Sequence, residues 1–244
     1  MSDRTIRAIV LSRRELGESD RWLCLLSEEE GKLDVIARGS RKAGSRLAGC
    51  SDPLTLSKLG LAGARRNLYV TQAQPEAAFR GLRGDYSRLC CAMAFCELLS
   101  SVLPMGEPSP EAFELCLQTL FAMEKAGRAE AVLVWAELKL LEISGFLPEF
   151  GRCVDTGGEL KNATPWVSPS AGGCVSEAGA SEVADKFRVR IEVAWGLDKT
   201  AALDEPPERL KFALESLELL LRFWRHFLER ALPANEACLS SLAD

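Results

Sequence analysis

Residues 31–46 read GKLDVIARGSRKAGSR, a turn, a strand and a basic loop in immediate succession. Gly31 follows three glutamates, Glu28 to Glu30, and opens an alternating stretch, Lys32 to Ala37, with the period of two that marks a half-buried strand. The strand runs into a loop holding Arg38, Arg41, Lys42 and Arg46, and no acidic residue lies between Asp34 and Asp52. Glycine, serine and alanine separate these charges, so backbone and side chains can both approach a polyanion. Taken alone, such a run is ordinarily a solvated surface loop.

Upstream, Ile6, Ala8 and Val10 alternate with Arg7, Ile9 and Leu11, and a polar break from Arg13 to Asp20 separates them from Trp22 to Leu26. The acidic turn before Gly31 then completes a three-strand meander. Downstream, Pro53 precedes a strand from Leu54 to Leu61, and a turn containing Arg65 and Arg66 leads into another, Leu68 to Ala73. Five short strands in about eighty residues fit a small closed barrel of the OB type; an SH3-like barrel fits almost as well. Aromatic residues are sparse here, only Trp22, Tyr69 and Phe79. Trp22 and Tyr69 are expected in the core, so contact with nucleic acid should lean on arginine and lysine, not on stacking.

The formal charge of −5 argues weakly against a polyanionic ligand, but it hides an asymmetry. Met1 to Arg83 carries fifteen Lys and Arg against ten Asp and Glu, a net of +5, which leaves −10 for the remainder. A basic head is joined to an acidic body. The N-terminal residues Ser2, Asp3, Arg4 and Arg7 leave no apolar core of signal-peptide length, and no apolar run reaches membrane-spanning length. A cytoplasmic protein is expected, and its nine cysteines then read as small buried hydrophobes.

From Asp85 the hydrophobic period becomes helical. Leu89, Met93, Cys96 and Leu99 recur up to Pro104; Pro110 and Glu111 open a second helix; Ala131 to Ile143 forms a third, stopped by Gly145. Helices of this length joined by short turns pack as a bundle. Further helices are expected from Glu182 to Trp195, capped by Ser181, and from Glu208 to Ala231. His226, the only histidine in the chain, lies near the end of the last, where a cation suits the helix dipole. The organisation expected is thus α+β and multidomain. A DNA-binding barrel over 1–80 precedes a helical domain over 81–244, which contains an insertion at 146–180 and C-terminal helices within 181–232.

The insertion is rich in Gly, Pro and Ser and holds Cys153 in GRCVDTGG and Cys174 in AGGCVSEAG. A structural zinc site needs four soft ligands in two close pairs. Each potential pair here keeps one cysteine, with Thr156 where a partner of Cys153 would stand. No cofactor is expected, and a Cys153 to Cys174 disulfide is not expected in a cytosolic chain.

The stretch IVLSRRELGESDRWLCLLSEEEGKLDVIARGSRKAGSRLAG, with its GESD loop, EEEGK turn and ARGSRK motif, resembles the bacterial RecO family of recombination mediators. The later order agrees, with a glycine-rich insertion beginning FLPEFGRC before the final helix. The resemblance implies an OB fold, binding to single- and double-stranded DNA, annealing of complementary strands, and help in loading RecA on strands coated by single-stranded DNA-binding protein (SSB). It implies RecR and the acidic, Phe-ended tail of SSB as partners. It puts Arg38, Arg41 and Lys42 on the DNA surface with Arg46 close by. Many relatives hold zinc with four cysteines, a set this chain has mostly lost.

Arg65 and Arg66 join the expected DNA-binding set through their place on the basic head. An SSB tail would need an apolar pocket beside a cation, for which Lys125, Arg128 and Lys139 are the candidates on the helices. A second reading is an adaptor whose acidic helical body recruits partners while the barrel gives weak DNA or RNA affinity. A third, a magnesium nuclease built on Glu15, Glu18 and Asp20, is disfavoured because Arg13, Arg14 and Arg21 lie beside those acids. No catalytic residue is expected.

Overall fold

The computed structural model describes residues 4–64, 67–160 and 164–243. Strands β1 (Arg4–Leu16), β2 (Asp20–Ser27), β3 (Gly31–Ala37), β4 (Leu56–Ala64) and β5 (Asn67–Ala77) close a barrel in the order β1-β2-β3-β5-β4. The β3 and β5 strands meet in parallel at Ile36 and Tyr69, and the other pairs are antiparallel. The interior is filled by inward residues of every strand, among them Ile6, Val10, Leu25, Val35, Leu59 and Val70. A 3₁₀ turn at Gly49–Ser51 lies at the end of the barrel, where Arg21 donates to the Ala48 carbonyl, Ser51 Oγ and Asp52.

Strand β1 is buried on both sides, which explains its unbroken Ile9–Val10–Leu11 run. Val10 faces the barrel, while Ile9 and Leu11 belong to the core shared with the helices. Its pairing with β2 shifts between Val10 and Ser12, a bulge at Leu11 that sets Ser12 opposite Cys24 and Arg14 opposite Trp22. That one extra residue decides which side chains of the strand reach the outer surface.

After a short turn of helix α1 (Arg80–Arg83), helices α2 (Tyr86–Val102), α3 (Pro110–Lys125) and α4 (Ala129–Ile143) form the bundle. Their starts are set by Asp85, which accepts from Arg88 N, and Ser109, which accepts from Ala112 N. Among the described residues no helix is long and apolar enough to cross a membrane.

The insertion folds as a small sheet of β6 (Glu149–Cys153), β7 (Trp166–Ser168), β8 (Gly173–Val175) and β9 (Phe187–Arg188), in the order β6-β8-β7-β9. The helix expected from Glu182 to Trp195 does not form. Ser176, not Ser181, is the cap, and helix α5 (Glu177–Glu182) ends where Phe187 is drawn into the sheet opposite Val167. Helix α6 (Ile191–Ala201) follows. The expected helix from Glu208 to Ala231 is likewise shorter, α7 (Ala213–Leu228), because Phe212 and Glu229 at its ends take left-handed backbone conformations. A final helix, α8 (Pro233–Ala243), packs on α2 and α7, beyond the range read from the sequence.

Barrel and body are fastened at the β2–β3 turn. Gly106 N donates to the Lys32 carbonyl at 2.8 Å, and Lys32 Nζ donates to the Ser100 carbonyl at 2.7 Å. Gly31, at φ +68°, lies so close that a Cβ would overlap the Glu107 carbonyl. Gly31→Ala therefore incurs left-handed strain and a backbone clash together, and should destabilise the protein by roughly 1–3 kcal/mol in denaturant titration. Gly44→Ala is the control: it has the same sign of φ but open space around it, so only the strain remains.

Candidate nucleic-acid interface

Arg38, Arg41, Lys42 and Arg46 all lie exposed on the loop that leaves β3, at the end of the barrel where the β1–β2 hairpin turns. The loop is pinned by its backbone: Gly39 N donates to Asp20 Oδ1 at 2.8 Å and Arg41 N to the Ser19 carbonyl at 2.9 Å. Asp20 is held below the usual carboxylate range first by the Gly39 N–H, with the Ser19 hydroxyl and the charges of Arg38 and Lys42 adding to it. The acids of the hairpin thus act on this loop. Glu15 pairs with Arg41 at 3.2 Å, and Arg41 also donates to the Gly17 carbonyl. Arg13 and Arg21, expected as partners of those acids, pair instead with Asp52.

The Arg38 guanidinium lies 3.6 Å from the centre of the Tyr69 ring, and that of Arg14 lies 4.4 Å from Trp22. Neither aromatic is in the core, where both were expected; each is half-buried on the outer face. The register explains it. Arg14 stands opposite Trp22, Trp22 opposite Ile36, and Ile36 opposite Tyr69, so one row crosses four strands with alternate neighbours facing the interior. Stacking on such rings, or on the arginine planes above them, is the general way single-stranded bases are held. Sequence reasoning missed this row because neither the pairing of β2, β3 and β5 nor the bulge at Leu11 that brings Arg14 beside Trp22 is visible in the hydrophobic pattern.

Cations elsewhere on the barrel are mostly neutralised. Arg4 pairs with Glu30, Arg7 with Glu28 and Glu76, and Lys58 with Glu76. Among the described residues, Arg14, Arg38, Lys42 and Arg46 have no carboxylate within ion-pair distance. The uncompensated positive charge is therefore gathered at the loop and the outer row. Arg65 and Arg66, from the expected set, lie outside the described residues.

On the helical body, Lys125 and Arg128 come together at a groove of about 560 Å³ with Val132, Pro206, Pro207 and Arg209. The chain after α6 forms the opposite wall by running back along α4, as the hydrogen bond from Trp135 Nε1 to the Leu203 carbonyl shows. Lys139 is not part of this groove. It sits roughly 16 Å further along α4, where its ammonium donates to the Ala201 carbonyl and Glu142. His226 is exposed, with its ring edge-on to Phe227.

Cys153 and Cys174 are register partners across β6 and β8, and both are buried. The Cys153 thiol is 3.7 Å from Asp155 Oδ2, and that of Cys174 is 3.7 Å from the Phe150 carbonyl. Burial pushes the Cys174 thiol up to about 12, away from the thiolate a metal needs. Among the described residues no three His, Cys, Asp or Glu side chains are disposed around one point. The residues present do not fit a tetrahedral zinc ion.

A family model described as the N terminal of recombination protein O matches residues 1–79, and one described as its C terminal matches residues 83–236. The chain is 36% identical to the DNA repair protein RecO of a Roseiflexus species over 237 residues, 94% of this chain and 83% of that protein. It is 31% identical to that of Desulforamulus reducens over 94% of this chain and 91% of the relative. Similarity to that of Heliobacterium modesticaldum is 38% over 69% of this chain, and spans 63% of the relative's length.

Proposed function

The chain belongs to the RecO family of DNA repair proteins, and from that premise we propose that it is a non-enzymatic recombination mediator that binds single- and double-stranded DNA through its barrel and anneals complementary strands. The observation that carries this reading is the segregation of charge. Among the described residues, four cations without carboxylate partners gather on the ARGSRK loop and the adjoining outer row, while Arg4, Arg7, Arg13, Arg21 and Lys58 elsewhere on the barrel are paired. Phosphates that replace counterions on such a surface lower the repulsion between two strands, and annealing needs no nucleophile or general base. Because phosphate contacts position without reading bases, sequence preference is weak.

We assign the 1–80 unit to DNA and the 81–244 unit to partners, RecR and the SSB tail among them, in the cytoplasm and on the nucleoid. The groove beside Lys125 and Arg128 supports the tail assignment, since Ala122, Val132, Pro206 and Pro207 offer apolar contacts and Lys125, Arg128 and Arg209 outnumber Glu208, which suits an acidic segment ending in an aromatic residue. In this way the protein would hold SSB and DNA together while RecA is loaded. The same groove favours the second reading, an adaptor whose barrel adds little.

Fluorescence-monitored annealing of complementary oligonucleotides separates the two. The wild type is expected to accelerate annealing of naked and SSB-coated strands. Replacement of Lys125 and Arg128 by glutamate should spare naked strands and slow coated ones at least tenfold. A normal annealing rate after Arg38, Arg41 and Lys42 are changed to alanine counts against the mediator reading, and SSB capture without salt-sensitive DNA affinity establishes the adaptor.

A further inference from the structure

Where the barrel meets the helical body there is a cleft of about 440 Å³, within the size range of small-ligand sites. Its walls come from distant parts of the chain: Arg14, Trp22, Lys32 and Asp34 from the barrel, Met105 from the segment after α2, and Arg230 from the segment after α7. Four cations, Arg13, Arg14, Lys32 and Arg230, line it with one carboxylate, Asp34, and Arg13 is already paired with Asp52. The row that carries Tyr69, Ile36, Trp22 and Arg14 runs from the basic loop to its edge, and Asp34 lies two residues back from Ile36 along β3, roughly 7 Å away.

Lys32 is the unusual member. It is 9% exposed, yet among the described residues its ammonium has one hydrogen-bond acceptor, the Ser100 carbonyl, and no carboxylate within ion-pair distance. An ammonium carries three donors, of which the Ser100 carbonyl takes one, and the others are available to a group in the cleft. Burial pulls the Lys32 pKa down, and the charge of Arg230 adds to that effect against the pull of Cys24 and Asp34. An anion in the cleft would meet the ammonium and relieve the repulsion between these two cations.

We propose that this junction cleft is a single-nucleotide subsite. It receives one unstacked nucleotide of a single strand, with the base against Trp22 and Arg14 and its phosphate between Lys32 and Arg230. A duplex keeps its bases paired inside and cannot place one there, so the cleft distinguishes single strands from double strands, whereas the basic loop holds either. The subsite rests on the DNA-binding reading of the barrel and extends it to residues of the helical body.

The test compares affinities of the full chain for an oligothymidylate, an abasic oligomer of equal length and a duplex. Arg230→Glu is expected to weaken oligothymidylate binding about tenfold and change duplex binding less than twofold. Trp22→Leu should weaken oligothymidylate about tenfold, the scale of one lost base–aromatic stack, while leaving the abasic oligomer within twofold of wild type. If Arg230→Glu melts like the wild type and its single- to double-strand affinity ratio is unchanged, the subsite is wrong. The same holds if Trp22→Leu weakens both single strands equally. Should the Arg38, Arg41 and Lys42 replacements lower affinity for all three ligands while Arg230→Glu lowers none, the subsite fails and the loop stands. No affinity of the wild type for any of them overturns the DNA reading itself.

Discussion

With Arg38, Arg41 and Lys42 all replaced by alanine, affinity for single-stranded DNA at low salt should fall roughly ten- to a hundredfold, and its dependence on salt should drop to about a quarter. Four phosphate contacts from Arg38, Arg41, Lys42 and Arg46 give a slope of log affinity on log salt of about −3, at roughly 0.7 per contact, and one remaining contact gives about −0.7. The three do not contribute alike. Arg38 is already laid on Tyr69, 3.6 Å from the ring centre, and loses little freedom on binding. Arg41 must first loosen its pair with Glu15, so Arg38→Ala alone should cost more than Arg41→Ala alone. The fold should survive the triple change, because the loop is held by the backbone N–H groups of residues 39 and 41 and not by these side chains. Titration by fluorescence anisotropy at several salt concentrations reads the slope directly. A slope unchanged from wild type, in a variant with the wild-type melting temperature, would show that phosphates are gripped elsewhere.

The parts of this molecule that were legible in its sequence are those whose physics is local. Barrel strands could be read from alternation and the glycine turn at Gly31; helix α2 from the change of period at Asp85 and α3 from Pro110 and Glu111 at its start. The loop cations could be read as a charge run, and each of them is exposed. What escaped depends on distant neighbours. Phe187 sits in a segment that reads as helix, but its pairing partner Val167 decides for a strand. Trp22 and Tyr69 look like core residues until strand register sets them on the outer side. Lys139 shares a helix with the groove but not its location, since the segment carrying Ala201 had already claimed its ammonium. The junction cleft joins residues separated by almost the whole chain, and no spacing rule can anticipate it.

The acidic body holds the second large effect, at Glu137. This side chain lies inside the bundle on α4, 2% exposed, and accepts a hydrogen bond of 3.0 Å from Trp224 Nε1 on α7. Burial pushes its pKa well above the ordinary carboxylate value of 4.5, with the nearby Cys238 adding in the same direction and the Trp224 N–H opposing. The native protein therefore keeps Glu137 protonated in a range where the unfolded chain releases the proton. The folded form then binds more protons than the unfolded one, so this group's contribution is fully present below pH 4.5 and is lost as pH rises toward the native pKa. The loss amounts to about 1.4 kcal/mol for each pH unit in that window. Glu137→Gln keeps an oxygen for Trp224 and removes the proton. Its stability should match the wild type near pH 4.5 and exceed it by a margin that widens as pH rises toward the native pKa. Glu137→Leu, by contrast, strands the buried indole N–H and should lie roughly 1–3 kcal/mol below Glu137→Gln at every pH, since neither variant titrates at this position. Urea unfolding of the three proteins between pH 4.5 and pH 8 tests the assignment. Parallel curves for wild type and Glu137→Gln would mean that the carboxyl is ionised in the folded core, with a counter-charge or water meeting it there.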